Sequence, residues 1–324
     1  MVRRALLVSV LGTVAVAGCS SSGGTSDKEL EGLVMAEAPP PATVDVTRAG
    51  RDPSALAAAL QLPWSRAADQ LGDHRLTITT VMEVREGAAV LETLEDSTTI
   101  DLARDGQYHA IYENGADYGR EIVFLGGKLY LRPRYAKWHE RAPETNAEPT
   151  ELRDQLASTL GAHVALYAHG LELSDKGTVE EGGRAGRRIE LKLAPSPRPA
   201  PKPALTQHAW REGLTVEAAA GEVILDDASG LPLAATIDAT VAFVRDGKRL
   251  TMRLTVKQAM APGAVAVAAP EAEQVVHTPV RLREVDDRNL LLKGIAPTKG
   301  GVGTPTPGAA SGSGSTTDGD KVKP

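Results

Sequence analysis

From Leu250 to Lys257 apolar and polar residues alternate without exception: Leu250, Met252, Leu254 and Val256 stand between Thr251, Arg253, Thr255 and Lys257. A period of two is the signature of a strand with one buried and one wet face, because successive side chains leave a pleated backbone on opposite sides. Asp246-Gly247, just ahead of it, is a two-residue hairpin turn, and Pro232 to Val244 supplies the partner strand. A chain holding this hairpin must build a sheet with one apolar face, and must cover that face.

The same period opens the first half of the chain. Leu76, Ile78, Thr80, Met82 and Val84 share a face, and Glu86-Gly87 offers a turn. Candidate strands follow at Ala89 to Leu94, Thr98 to Ala103, Gln107 to Glu113, Glu121 to Leu125 and Lys128 to Arg132. Asp105-Gly106, Asn114-Gly115 and Gly126-Gly127 punctuate them, which predicts an antiparallel meander rather than a crossover fold. Strands resume with Ile189, Leu191 and Leu193, then Leu214 to Ala218 and Glu222 to Leu225. Helical signals are few. Asp52-Pro53 is a cap followed by a proline, and it starts a helix over Ala55 to Gln61, with a second piece from Trp64 to Leu71. Leu152, Leu156, Leu160 and Val164 recur every fourth residue, predicting one amphipathic helix over Pro149 to Tyr167 laid on the sheet. The expected class is α+β: a curved antiparallel half-barrel sheet wrapped around helices. Ile78, Met82, Val84, Met252, Leu254 and Val256 are the expected apolar, ligand-facing positions; the alternative is that they pack against the Leu152 to Val164 helix and leave no cavity.

At the N-terminus, Arg3 and Arg4 precede a short apolar run, Ala5 to Val16, closed by Ala17-Gly18-Cys19. The run falls short of the roughly 20 apolar residues needed to cross a bilayer. The pattern is that of a signal peptide, and Ala17-Gly18-Cys19 resembles a bacterial lipobox, in which the cysteine is acylated and becomes the first mature residue. Residues 1–18 are thus expected to be a signal peptide, 19–50 a flexible tether whose residues 20 to 41 span about 25 Å, 51–295 the half-barrel domain and 296–324 a disordered Gly/Ser/Thr/Pro-rich tail. Cys19 is the only cysteine among 324 residues, so its acylation would leave no thiol for a disulfide, a zinc site or a nucleophile. The partners expected are the membrane, through acyl chains on Cys19, and a lipid or lipoprotein ligand. A monomer is expected. Ser20 after the cysteine, where an aspartate signals inner-membrane retention in well-studied Gram-negative sorting, favours the outer membrane, facing the periplasm.

Little in the chain points to catalysis. His74, His109, His139, His163, His169, His208 and His277 are scattered without metal-ligand spacing, and read as surface or helix-end histidines. Glu180-Glu181, Asp226-Asp227 and Asp286-Asp287 lack the alternating oxygen ligands of a calcium loop and read as solvated turns. Arg132, Arg134, Lys137 and Arg141 interleave with Tyr130, Tyr135 and Trp138, but a net charge of -6 disfavours nucleic acid. The expected arrangement is aromatics along a sheet rim with wet basic heads. No enzyme and no cofactor is expected.

Val123-Phe124-Leu125-Gly126-Gly127-Lys128-Leu129-Tyr130-Leu131, followed by Lys137-Trp138, resembles the Gly-Gly-x-Leu-Tyr hairpin of periplasmic lipid and lipoprotein carriers of the LolA, LolB and LppX/LprG type. Gly221 to Asp226, then Gly230-Leu231-Pro232-Leu233, is similar to a later strand and turn of that superfamily, so the resemblance runs from about Ser54 to Ala261. It implies an unclosed half-barrel, capped by helices, that holds a lipid or the acyl chains of a lipoprotein. A lipid-anchored member would act as a receiver or local binder within reach of its tether. A sensor or structural lipoprotein using the same fold as a protein-binding platform is the alternative.

Overall fold

The computed structural model describes residues 44–276, apart from 62–63, 65–66 and 203–208. The lipobox at Cys19, the tether up to residue 43, the strand or helix expected within Val280 to Leu292 and the tail from 296 lie outside the described residues. The described residues begin at Val44. Val44 packs onto the backbone at Gly230, where even a Cβ would come within 2.3 Å of its side chain.

Among the described residues, three short helices stand before the sheet: α1 (Val46–Ala49), α2 (Pro53–Leu60) and α3 (Ala67–Leu71). The Asp52 carboxylate caps α2 by accepting from the Ser54 N–H at 2.9 Å, and Pro53 fills the first turn, where no N–H is needed. Six strands follow as a meander: β1 (His74–Glu86), β2 (Ala89–Leu102), β3 (Tyr108–Asn114), β4 (Gly119–Leu125), β5 (Lys128–Pro133) and β6 (Trp138–Arg141). After helices α4 (Glu148–Ala157) and α5 (Thr159–Tyr167) and a 3-10 turn at Ala168–Gly170, a second meander runs through β7 (Leu171–Glu181), β8 (Arg184–Leu193), β9 (Thr215–Asp226), β10 (Pro232–Arg245) and β11 (Lys248–Pro262). A two-residue strand, β12 (Val275–Val276), closes the order.

Among the described residues, twelve strands form one open sheet in the order β12-β6-β5-β4-β3-β2-β1-β11-β10-β9-β8-β7. Every pairing is antiparallel except β12 with β6. The sheet does not close, since β12 and β7 are its two edges. The first meander grows outward from β1, the second grows inward to β11, and the two meet only where β1 pairs with β11. The chain must therefore travel from one side of the sheet to the other between β6 and β7. Helices α4 and α5 make that passage across one face, α4 touching β2 and β3 and α5 touching β11. One contiguous buried cluster joins Leu152, Leu156, Leu160 and Val164 of these helices to β1–β5 and β7–β11.

The expected single helix over 149–167 is two helices. Ser158 and Thr159 turn their hydroxyls back onto the carbonyls of Gln155 and Leu156, each at 3.0 Å, and these bonds compete with the helical ladder. Ala89 to Leu94 and Thr98 to Ala103 join into the single strand β2, and Leu214 to Ala218 and Glu222 to Leu225 into β9. Strand β7 has no counterpart in the sequence reading. As an edge strand with an irregular register between Asp175 and Thr178, it shows no clean alternation. The best-marked turns are as expected: Gly126-Gly127 and Asp246-Gly247 hold φ of 57° and 74°, and 54° and 74°, the left-handed pair a tight hairpin requires.

Candidate functional site

The six apolar positions singled out from the sequence lie together at the junction of the two meanders. Across β1 and β11, Val84 faces Met252, Met82 faces Leu254, Thr80 faces Val256 and Ile78 faces Gln258. Ile78, Val84, Met252, Leu254 and Val256 are buried, and Met82 is partly buried against the same cluster. The register carries this face into β10 as Ile237, Ala239, Val241 and Phe243, and into β2 as Leu94, Asp96, Thr98 and Ile100. The result is an apolar seam on the face that the helices cross.

The seam has two unlike ends. At the His74 end it is closed: the Trp64 Nε1–H donates to His74 Nε2 at 3.3 Å, and His74 Nδ1 lies 2.7 Å from the Gly72 carbonyl. These contacts place the imidazole proton on Nδ1, and burial pushes its pKa down, so His74 is a neutral structural group. Toward the β1–β2 turn, cover falls away. Met82 and its opposite neighbour Leu94 are half-buried, and beyond them Val90 and Leu91 are 48% and 49% exposed.

Polar groups interrupt the apolar face at two neighbouring levels, those of Thr80 and of Ile78. Asp96, opposite Thr80 on one side and Asn114 on the other, has a buried Oδ1 with no hydrogen-bond partner. Burial pushes its carboxyl pKa up, against the pull of the Tyr112 and Thr80 hydroxyls. Tyr112 is raised as well, first by burial and then by Asp96. Gln258 donates to the Pro232 carbonyl at 3.1 Å and leaves its own Oε1 without a partner. Sequence reasoning missed these groups because a polar residue at a core-facing strand position looks like a break in the pattern.

Several sequence expectations are corrected by burial. His74 is fully buried, and His163, on α5, buries its Nδ1 without a partner, so neither is a surface histidine. Asp226 is no solvated turn residue: it is buried and accepts from Arg184 at 2.7 Å and from the Ser229 hydroxyl at 2.6 Å. Arg141 does not keep a wet head but is buried in a bidentate pair with Glu148. Tyr130 and Trp138 do pack at the rim, with Val123 on the opposite face of the sheet, under Val267 and Val275. The Arg132 guanidinium lies 4.6 Å from the Trp138 ring centroid. Among the described residues, no three His, Cys, Asp or Glu side chains gather as a metal site.

Burial and the neighbouring Arg211 push the His163 pKa down from 6.5 to about 4. The folded state therefore favours the neutral ring. This contribution to stability is complete above the unfolded value near 6.5 and is lost as pH falls toward 4, amounting to about 2–3 kcal/mol by pH 4.5. Urea unfolding of wild type and His163→Phe at pH 7.5 and 4.5 checks this: the variant should lose clearly less stability on acidification.

No protein-family model and no curated protein matches the chain. Solved structures do. The lipoprotein LppX of Mycobacterium tuberculosis matches at 15% identity and a TM-score of 0.23, covering 66% of this chain and 99% of its own. A LolA superfamily protein from Nitrosomonas europaea matches at 8% identity and a TM-score of 0.20, covering 65% and 94%. MucB matches at 14% identity and a TM-score of 0.22, and 65% of its chain is covered. The matches are of the LolA and LppX type named from the sequence. At these identities and scores the likeness assigns no ligand to this chain.

Proposed function

We propose that the protein is a lipid-anchored envelope protein, acylated at Cys19, that binds acyl chains or a lipidated partner without catalysis. In this reading the open sheet curves around its helices as a half-barrel, and Ile78, Met82, Val84, Met252, Leu254 and Val256 line the inner wall. The observation that carries it is the seam itself: a largely apolar face across the central strands, broken by Thr80, Asp96, Thr98 and Gln258, closed at His74–Trp64 and losing its cover at Met82 and Leu94. Acyl chains need apolar area more than directional contacts, and a wall of aliphatic and methionine side chains supplies that. Ser20 after the lipobox cysteine supports work at the outer membrane, on its periplasmic side, within reach of the tether.

The test uses the full mature chain with Cys19→Ser, extracted with solvent and then offered palmitate, followed by native mass spectrometry. One bound chain per protein is expected. Met82→Glu should weaken uptake by about ten-fold or more, because it puts a charge where the chain enters while leaving the buried core intact. Failure of extracted wild type to take up any lipid overturns the reading. Capture of one dominant protein partner in its place would favour the platform alternative. The mass of the native mature chain tests the anchor, since it must exceed the sequence mass by the acyl groups.

A further inference from the structure

One row of the sheet carries two buried polar atoms that no group among the described residues matches. Thr80 on β1, Asp96 on β2 and Asn114 on β3 stand directly opposite one another in neighbouring strands. Side chains so placed leave the same face of a sheet with Cβ atoms about 4.5–5.5 Å apart. That face is the seam, and the row lies one step inside Met82 and Leu94, where the cover falls away. Asn114 is only 5% exposed, and its amide has a fixed orientation: Oδ1 accepts from the Ala116 and Tyr118 N–H groups at 3.1 and 3.0 Å. Nδ2 is the end left over, and it is buried without a hydrogen-bond partner. On the facing strand, Asp96 Oδ1 is buried and unpartnered as well, so the two atoms do not satisfy each other. Tyr112, diagonal to Asp96, brings a hydroxyl that bears on both Asp96 and Asn114, and Thr80 brings a second to Asp96. The Tyr118 ring stands edge-on to Tyr112, with centroids 6.1 Å apart.

We infer that Asp96 and Asn114, with the Thr80 and Tyr112 hydroxyls, form a subsite at the open end of the seam for an uncharged polar head that both donates and accepts a hydrogen bond, a hydroxyl being the simplest. A carboxyl oxygen in need of a donor and an amide N–H in need of an acceptor, on adjacent strands, are matched together by one hydroxyl. A carboxylate head would satisfy Asn114 but set a second acid against Asp96, and could bind there only if Asp96 held a proton for it. An ammonium head would satisfy Asp96 but has no acceptor to offer Nδ2. A head that leaves a buried polar atom unmatched binds at a cost, and sites built this way reject the wrong group strongly. The inference rests on the acyl-chain reading for its orientation: the chain runs inward along the seam and its head stays at the mouth, so the ligand is a neutral hydroxyl lipid of the fatty-alcohol or monoacylglycerol kind.

The experiment is displacement titration of the Cys19→Ser chain at pH 7.5 with hexadecanol, palmitate and hexadecylamine, three heads on one chain length. The chain should bind hexadecanol about ten-fold or more tightly than either charged amphiphile. Asp96→Leu should abolish that preference. A carboxyl with a purely structural role would instead lower the Tm when replaced and leave the preference intact, and a preference that survives Asp96→Leu overturns the subsite. Asn114→Asp keeps the two loop bonds through Oδ1 and exchanges only the donor for an acceptor, so it should move the preference toward hexadecylamine. This second variant decides the matter if Asp96→Leu fails to fold, and an unmoved preference in it overturns the subsite. Equal affinity for the three heads overturns the subsite and leaves the acyl-chain reading standing. Tighter binding of palmitate overturns it too, and would assign the head to Arg120, which faces Tyr112 one step further in. If none of the three binds, the acyl-chain reading falls and the subsite with it.

Discussion

Gly161→Ala should destabilise the protein by about 3 kcal/mol, against every expectation from helix propensity. Gly161 lies inside α5, where alanine in its place would ordinarily favour the helix by about 1 kcal/mol. Here a Cβ would stand 2.3 Å from the Leu60 carbonyl oxygen and 2.6 Å from its carbon. Those are backbone atoms at the last residue of α2, and no rotamer change can move them aside. Among the helix pairs, α2 and α5 make the most extensive contact, so the added methyl must push them apart and loosen Leu56, Leu60, Leu160 and Val164 together. Overpacking of a core generally costs 1–3 kcal/mol, and the upper end applies where the obstacle is main chain. Urea unfolding of the Cys19→Ser chain with and without the change measures it; an unchanged or higher midpoint would show that the helices can slide without loss.

Arg141→Ala should cost about 3–5 kcal/mol, because it strands a buried carboxylate. Arg141 donates to both oxygens of Glu148 at 2.8 and 2.5 Å, and the Glu144 N–H donates to Glu148 Oε2 at 2.6 Å. The pair joins the end of β6 to the start of α4, at the point where the chain leaves the first meander and begins to cross the sheet. The double change Arg141→Met with Glu148→Leu should recover most of the loss, since removing both charges also removes the cost of burying them. Chemical unfolding of Arg141→Met, Glu148→Leu and the double variant completes the cycle. A double variant as unstable as Arg141→Ala would mean that the pair's value lies in fixing the crossover rather than in its charge balance.

Where burial is one-sided, the sheet is plain in the sequence. Leu250 to Val256 alternate because their strand is central and one face meets the helices, and Leu76 to Val84 repeat the pattern on the neighbouring strand. Neither strand announces that the other is its partner; only the order of the two meanders, an edge-to-edge arrangement fixed by the helical passage, brings residue 84 against residue 252. Strand β7 was illegible because its register is broken between Asp175 and Thr178, so that Leu171 and Leu173 on one side of the break and Val179 on the other do not form one alternating run. The break at Ser158 was illegible because a four-residue leucine repeat passes over it undisturbed, while the hydroxyl bonds that split the helix are local chemistry. Arg141, Asp226 and His163 look like surface residues by type, and their burial depends on partners or on an enclosure that no spacing rule reveals.

The meeting of β1 with β11 also governs when the protein can become itself. These strands are the first and the last of the eleven long ones, so the middle of the sheet is the part of the chain that must wait longest for its neighbour. Pairing across so long a loop is slow, because the closure entropy is lost before any contact rewards it. A chain still being made, with β11 yet to emerge, would have two half-sheets and an uncovered row of Leu, Met and Val side chains between them. For a protein built this way, finishing synthesis and closing the sheet are a single event, and the last long strand to be made completes its middle.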